Sequence, residues 1–330
     1  MRDLRALPKA HLHLHLEAGM RRETLDELAV RDCLTVPPVA RYESFAAFAG
    51  VYELATTVLR TPADWERLAD EMLAEAAAEG CVYVEPAFWA TRYRERFGSD
   101  RDIWTMVLEV FGAAAARHGV GIGFLSAVDR VFDDPEEAVA IAELAVELRP
   151  LGVVSFGLHN DEVGHPPTDF VEAFAVARAG GLVAAPHAGE LDEGRRVLDA
   201  VDRLGATRIA HGVRAGELDG LVDRLAADRI CLDVCPTSNR LLGVVQDTAA
   251  HPIRALLDAG VRCTLNADDP LLFDTTILGE YEVARDVIGL DDGRLAAIAR
   301  TSLEVSALPE AAKAEALAGV EGWLASAGGR

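Results

Sequence analysis

The chain has 330 residues, 50% of them hydrophobic, so it can form one large domain or two of ordinary size. Its 54 Asp and Glu against 32 Lys and Arg give a formal net charge of −22, and such a chain repels phosphate backbones and anionic membranes. We therefore expect neither nucleic acid nor a membrane as a partner. No apolar run approaches the roughly 20 residues of a membrane span, and no signal peptide is recognised. The five cysteines include no CxxC pair, which is typical of reduced thiols and predicts a cytoplasmic protein.

The first predicted element is a β-strand over residues 9–15, in which His11, His13 and His15 alternate with leucines. Because side chains on a strand point to opposite faces with a period of two, the three histidines share one face with Glu17. Neutral imidazoles on one face can share a metal ion such as zinc. The alternative interpretation is a half-buried strand with a solvated histidine face.

Seven further strands alternate with segments of helical period along the rest of the chain. The predicted strands are 9–15, 81–88, 121–127, 153–158, 182–187, 208–211, 230–234 and 262–267. This rhythm predicts an α/β protein, a (β/α)₈ TIM barrel that forms a single domain over residues 1–330. An open doubly wound sheet shares the rhythm, but no GxGxxG motif follows the first strand.

The segment from Arg21 to Thr61 is too long for a simple connection between a strand and its helix, so we predict extra helices inserted after strand 1. Residues 42–59 have helical period, with Phe45, Phe48 and Tyr52 on one face. Aromatic side chains at this spacing are usually part of a core. Because they follow strand 1 on the barrel face where active sites lie, they can equally form a lid.

Five predicted strand ends carry a histidine or an acidic residue, and barrel active sites are built from such ends. The five segments are 13–17, 157–162, 186–190, 210–212 and 266–270. Each one alone has a plain structural explanation, because a single strand-end histidine is usually not catalytic and two acids before a proline can begin a helix. Together they supply the donors and acid–base groups of a hydrolytic site with one metal ion.

These motifs together resemble those of the adenosine deaminase family of the amidohydrolase superfamily. The matching segments are 8–17, 161–162, 187–190, 208–213, 235–239 and 268–270, in the family's order from about residue 7 to residue 310. The resemblance implies one zinc ion per chain, held by His13, His15, His187 and Asp268. It also implies that His211 takes or steers the proton of the attacking water, and that Glu190 protonates the ring nitrogen beside the attacked carbon.

The resemblance implies three substrate-binding residues as well. Asp269 would hydrogen-bond a nitrogen of the five-membered ring and help to hold the attacking hydroxide, and Glu17 would contact a sugar hydroxyl. Asn160 stands where the adenosine enzymes carry a glycine, so it narrows the pocket or adds a hydrogen bond. The run Gly164-His165-Pro166-Pro167 is similar to that of the adenine-specific members.

Three other histidines are not expected to be metal ligands. We expect His11, one strand repeat deeper than His13, either to support the site from beneath or to belong to the core, and not to bind the metal. His159 and His165 are expected to be loop residues.

The leading hypothesis is zinc-dependent hydrolytic deamination of a small-molecule 6-aminopurine nucleoside, adenosine or 2′-deoxyadenosine. Adenine, or an adenine nucleoside with a 5′ group such as aminodeoxyfutalosine, is the alternative substrate. Another amidohydrolase reaction and a non-catalytic binding module are further alternatives. The oligomeric state is left open.

Overall fold

The computed structural model describes residues 1–39 and 41–326. The strands in these residues are β1 (Lys9–His15), β2 (Cys81–Phe88), β3 (Gly121–Ile122), β4 (Phe124–Asp129), β5 (Val153–His159), β6 (Val183–Ala184), β7 (His187–Ala188), β8 (Arg208–His211), β9 (Cys231–Val234) and β10 (Arg262–Leu265). All their pairings are parallel. Helices separate most of them, as the alternating hydrophobic pattern predicts.

The strands form two sheets that close on each other. One sheet has the order β1-β2-β4-β5-β6 with β3 beside β2, and the other has the order β10-β9-β8-β7. At one junction Leu14 of β1 pairs with Asp268, just beyond β10. At the other, the N–H of Thr207 donates to the carbonyl of Ala184 at 3.3 Å. The predicted (β/α)₈ TIM barrel is therefore confirmed.

Two predicted strands are each interrupted. The predicted strand 121–127 is split at Gly123, where a Cβ would lie 2.2 Å from the Tyr83 hydroxyl, so only glycine allows this close approach. The predicted strand 182–187 is split before His187, because Pro186 has no N–H to donate to a neighbouring strand.

The helices follow the strands and include two in the predicted insertion. They are α1 (Arg22–Arg31), α2 (Phe45–Thr57), α3 (Pro62–Ala78), α4 (Arg94–Phe97), α5 (Asp100–His118), α6 (Pro135–Leu148), α7 (Val171–Ala179), α8 (Arg195–Asp199), α9 (Leu221–Ala227), α10 (Pro236–Leu241), α11 (Ile253–Asp258), α12 (Pro270–Phe273), α13 (Ile277–Asp286), α14 (Asp292–Val305) and α15 (Glu310–Ala325). α1 and α2 lie between β1 and α3, which confirms the extra helices after strand 1.

The aromatic face of α2 is both core and lid. Phe48 is buried and stacks on Phe273, with 5.3 Å between ring centroids. Phe45 and Tyr52 are only partly buried, and all three side chains of this face line the cavity above the barrel. Both interpretations of the pattern therefore hold at different positions of one helix.

The cysteines and the helices can be compared with the expectations from composition. The four strand-associated cysteines are buried and unpaired, as their apolar surroundings predict; they are Cys81, Cys231, Cys235 and Cys263. In residues 1–39 and 41–326, none of the helices combines the length and apolar character that a membrane crossing requires.

Candidate active site

A cavity of about 860 Å³, counted with the solvent at its mouth, opens at the C-terminal ends of the barrel strands. Eight of the predicted site residues line it, namely His15, Glu17, Asn160, His187, Glu190, His211, Asp268 and Asp269. The ninth, His13, is buried beneath them, with its Nε2 atom 3.1 Å from Nε2 of His187. The barrel thus brings all nine residues to one place.

Main-chain carbonyls orient two of the predicted metal ligands. His13 Nδ1 lies 3.1 Å from the carbonyl oxygen of Asp233, and His187 Nδ1 lies 3.0 Å from that of Leu158. A carbonyl can only accept, so each Nδ1 carries the hydrogen and each Nε2 presents a lone pair. Two lone pairs facing each other at 3.1 Å repel unless a cation lies between them. This arrangement fits a metal ion.

Asp268 lies beside two of the predicted histidine ligands, His13 and His15. Its Oδ1 is 3.0 Å from His13 Nε2 and 3.4 Å from His15 Nε2, and its Oδ2 accepts a hydrogen bond from the Ser238 hydroxyl at 2.6 Å. Burial alone would raise the pKa of Asp268, but the facing His13 and His211 hold it well below its ordinary value. The carboxylate is therefore ionised, as a metal ligand must be.

The donor atoms form two overlapping groups that share Asp268. In each group the atoms lie within 4.8 Å of one another; one is His13, His187, His211 and Asp268, and the other is His15, Asp268 and Asp269. The predicted ligand set draws on both groups. His211 lies in the first group, although the sequence places it beside the attacking water.

Two carboxyl groups face the cavity with an unused oxygen. Glu190 Oε1 and Asp269 Oδ1 are buried and have no hydrogen-bond partner among the described residues. Burial, reinforced by the charge of Asp268, raises the pKa of Glu190 well above its ordinary value. Burial also raises the pKa of Asp269 well above the ordinary range. Both groups are thus suited to donate a proton or a hydrogen bond to a ligand.

The loop that carries Glu190 is fixed by a neighbouring carboxylate. Glu162 accepts the backbone N–H groups of residues 189–191 at 2.8 to 3.1 Å. The buried Arg130 donates to the carbonyls of His187 at 2.6 Å and His159 at 3.2 Å. Glu162 belongs to a matched motif, but sequence analysis gave neither residue a role.

Asn160 is held by a residue that sequence analysis missed. Its φ of 76° lies in the left-handed region, which asparagine tolerates and glycine favours. Its Nδ2 donates to both carboxylate oxygens of Asp129, at 3.0 and 2.8 Å. Asp129 was missed because the predicted third strand stops at residue 127, whereas β4 continues to Asp129.

Glu17 is buried and already engaged. Its Oε1 accepts from the Tyr93 hydroxyl and its Oε2 from the Tyr52 hydroxyl, each at 2.7 Å. Tyr52 comes from the predicted lid helix, whereas Tyr93 belongs to a short 3₁₀ turn with no signal in the sequence pattern. These contacts fix the carboxylate at one wall of the cavity.

The remaining histidines lie outside both donor groups. His11 Nε2 accepts the backbone N–H of Ala267 at 3.0 Å, so of the two predicted alternatives it takes the supporting one, at the strand end next to Asp268. His165 lies on a loop, but the same expectation for His159 is wrong, because β5 extends one residue further and ends there. His159 lines the cavity.

The fold and site define a class of protein, a TIM-barrel hydrolase with a metal centre at its strand ends. The family model described as adenosine deaminase matches residues 8–323, and the chain belongs to this family. It is a deaminase, a hydrolase that acts on C–N bonds. A putative adenosine/adenine deaminase of Streptomyces coelicolor is 40% identical over 98% of each chain.

Two solved structures extend this comparison. The adenine deaminase of Arthrobacter aurescens is 27% identical, with a TM-score of 0.89 over 97% of this chain and 100% of that one. An amidohydrolase of Burkholderia ambifaria with bound zinc is 28% identical, with a TM-score of 0.83 over 98% of this chain and 94% of that one. The buried histidine and aspartate cluster described above is suited to one such ion, so zinc is the cofactor.

Proposed function

We propose that this chain hydrolyses the amino group of an adenine ring, and that free adenine is its substrate. The observation that carries the proposal is the pair of buried, unpartnered carboxyl oxygens on Glu190 and Asp269, two residues that line the cavity together with the metal donors. In adenine the carbon that bears the amino group is bonded to N1 of the six-membered ring, and N7 of the five-membered ring lies two bonds away on its other side. Two donors placed around one reaction centre suit those two acceptors.

In the proposed reaction Glu190 delivers its proton to N1, which makes the neighbouring carbon electrophilic, and water adds to that carbon. Of the two protons of the water, one returns to Glu190 and the other goes to the departing amino group, so that ammonia leaves as the C=O bond of the ring forms. Asp269, whose pKa burial raises well above its ordinary value, donates a hydrogen bond to N7 in its protonated form and orients the ring. His13, His15, His187 and Asp268 would hold zinc, which supplies the Lewis acidity that activates water at neutral pH. The buried walls exclude bulk water from these groups.

The choice of free adenine is supported by the burial of Glu17 and by its two hydrogen bonds to tyrosines. A ribose hydroxyl would have to share a carboxylate that accepts from two tyrosines and is only 2% exposed. Asn160 is hydrogen-bonded to Asp129, and its side chain narrows the cavity at the position where the adenosine enzymes carry glycine. The Arthrobacter aurescens structure, an adenine deaminase, and the adenosine/adenine name of the Streptomyces relative agree with this choice.

Adenosine or a 5′-substituted adenosine is the second candidate substrate. The lining of the cavity also includes the aromatic residues Phe45, Trp89 and Phe132, which we call the aromatic rim. Trp89 and Phe132 stack with 6.0 Å between ring centroids, and Phe132 is 66% exposed. This rim offers apolar contacts to a sugar or to a group attached to it.

The test is a panel of adenine, adenosine, 2′-deoxyadenosine and a 5′-substituted adenosine with the zinc-loaded protein. Turnover is followed by the loss of 6-aminopurine absorbance and by ammonia release. We expect kcat/KM for adenine to exceed that for the nucleosides by at least about tenfold, or about 1.4 kcal/mol. A preference for a nucleoside would replace the first candidate with the second, and no turnover of any member would contradict both.

A further inference from the structure

We infer that a buried chain of hydrogen bonds from Ile253 through His251 and Asn239 fixes the tautomer of His211, so that His211 presents an N–H from Nε2 to the active site. The hydrogen-bond chain itself is independent of the substrate. Its consequence for catalysis rests on the proposed function. Neither Asn239 nor His251 was among the predicted site residues.

The direction of the chain is set at its far end by a main-chain donor. The backbone N–H of Ile253 lies 3.1 Å from His251 Nδ1. A backbone amide can only donate, so His251 Nδ1 accepts and carries no hydrogen. An imidazole must then carry its hydrogen on Nε2. His251 is buried, so solvent does not compete for this arrangement.

Asn239 connects His251 to His211 and keeps the same direction of hydrogen-bond donation. His251 Nε2 lies 3.2 Å from the Asn239 side chain, and because this nitrogen donates, the amide atom that faces it must be Oδ1. The amide nitrogen Nδ2 then faces His211 Nδ1 at 3.2 Å and donates to it. The amide orientation of the fully buried Asn239 is therefore fixed by its neighbour.

His211 is the end of the chain. Its Nδ1 accepts from Asn239, so it carries no hydrogen, and the ring bears its N–H on Nε2. This Nε2 lies 3.4 Å from Glu190 Oε2 and 3.7 Å from Asp268 Oδ2, two acceptors. An N–H at this position cannot ligate a metal, which separates His211 from His13 and His187, whose Nε2 atoms present lone pairs.

The catalytic consequence is that His211 acts as a hydrogen-bond donor. Its Nε2 already holds a hydrogen and cannot accept another, so His211 does not take the proton of the attacking water, which is one of the two roles that the resemblance implies. Its N–H instead stabilises negative charge on oxygen beside the attacked carbon. Asn239 and His251 are then positioning residues, which act through His211 without touching the substrate.

The test is nuclear magnetic resonance of the zinc-loaded full chain labelled with ¹⁵N-histidine. Two-bond ¹⁵N–¹H correlations report which ring nitrogen carries the hydrogen, and His211→Gln assigns the signals. We expect His211 to carry its hydrogen on Nε2 in the wild type. In Asn239→Asp both side-chain oxygens accept, so the hydrogen should move to Nδ1. A wild-type hydrogen on Nδ1, or an unchanged tautomer in Asn239→Asp, would overturn the inference.

A second variant covers the case in which Asn239→Asp fails to fold. His251→Leu removes the group that orients the amide, so His211 should show both tautomers, and a single Nε2–H signal there would also overturn the inference. The control is Asp247→Asn, an exposed change in the same connection, which should leave the His211 signals unmoved.

Kinetics separate positioning from a general structural defect. Loss of the donor in Asn239→Asp should lower kcat about 100-fold while KM changes less than about threefold. Equal loss in kcat and binding would contradict the positioning role. If the tautomer is as inferred but no 6-aminopurine is turned over, the proposed function fails and the inference stands.

Discussion

At the scale of single residues, the site depends on which atoms carry hydrogens. The sequence predicts the residue types, because alternating histidines and strand-end acids can be read directly from their spacing. It cannot predict that His13 and His187 present Nε2, because their carbonyl partners, Asp233 and Leu158, come from other strands. The type of each side chain can thus be read from the sequence, whereas the ring nitrogen that carries the hydrogen is decided by main-chain groups that are distant in the sequence.

Glu190→Gln tests the proposed proton donor. Glutamine keeps the size of the side chain but has no acidic proton to deliver to N1, so kcat should fall at least about 100-fold. Zinc content, measured by metal analysis, should stay at about one per chain, because Glu190 is not a predicted ligand. A variant with the wild-type rate would show that another group donates the proton.

Asn160→Gly tests the gate of the cavity. Glycine keeps the left-handed backbone without strain but removes the side chain that is tied to Asp129. The ratio of kcat/KM for adenosine to that for adenine should rise, because loss of the Asn160 side chain enlarges the cavity on that side. The matched control is Val163→Ala, an exposed change in the same connection. An unchanged ratio in Asn160→Gly would remove Asn160 from the account of specificity.

At the scale of elements, hydrophobic alternation was enough to find the strands but not their interruptions. The bounds of β1, β2 and β8 were predicted as observed. At Gly123 the backbone lies close to the Tyr83 hydroxyl, and before His187 the backbone of Pro186 has no N–H. Neither feature is visible in the hydrophobic periodicity. Inside the barrel, Arg208 ties β8 to β9 and β2 through Asp233 and Glu85, at 2.9 and 2.7 Å.

Glu280 of α13 should make stability depend on pH. It accepts from Thr237 N–H and the Thr275 hydroxyl, and burial raises its pKa to about 7. The folded state therefore holds this proton more tightly than the unfolded state, and stability is lost as pH rises from about 4.5 through 7.

Glu280→Gln mimics the protonated form and should remove this loss. Urea unfolding should show nearly equal stability of variant and wild type at pH 4, and a variant more stable by about 3 kcal/mol at pH 8. Glu282→Gln, an exposed change on the same helix, should behave as the wild type. Equal stability of Glu280→Gln and the wild type at pH 8 would contradict a raised pKa.

At the scale of the whole molecule, barrel closure assembles the site. His13 and Asp268 lie near opposite ends of the chain, yet the bridge between Leu14 and Asp268 brings them within 3.0 Å. The order of the motifs predicts the family, but the sequence has no signal for contacts such as Tyr93 on Glu17. The substrate depends on such contacts, and therefore sequence analysis left it open.

Removing zinc should destabilise the fold. Without a cation the lone pairs of His13 and His187 face each other at 3.1 Å in a buried site. A ligand bound only by the folded state stabilises it by about 2.7 kcal/mol at 100 times its Kd. Thermal unfolding should therefore occur at a lower temperature after chelation and recover when zinc is restored. An unchanged midpoint would contradict a metal site built by these residues.

The most direct test of the central claim is the initial rate of adenine deamination as a function of zinc content. Metal-free protein is reconstituted in steps, and hypoxanthine and ammonia are measured together. The rate should rise in proportion to zinc up to one ion per chain, with one ammonia released for each adenine consumed. Full activity in metal-free protein, or no adenine turnover at full zinc occupancy, would contradict it.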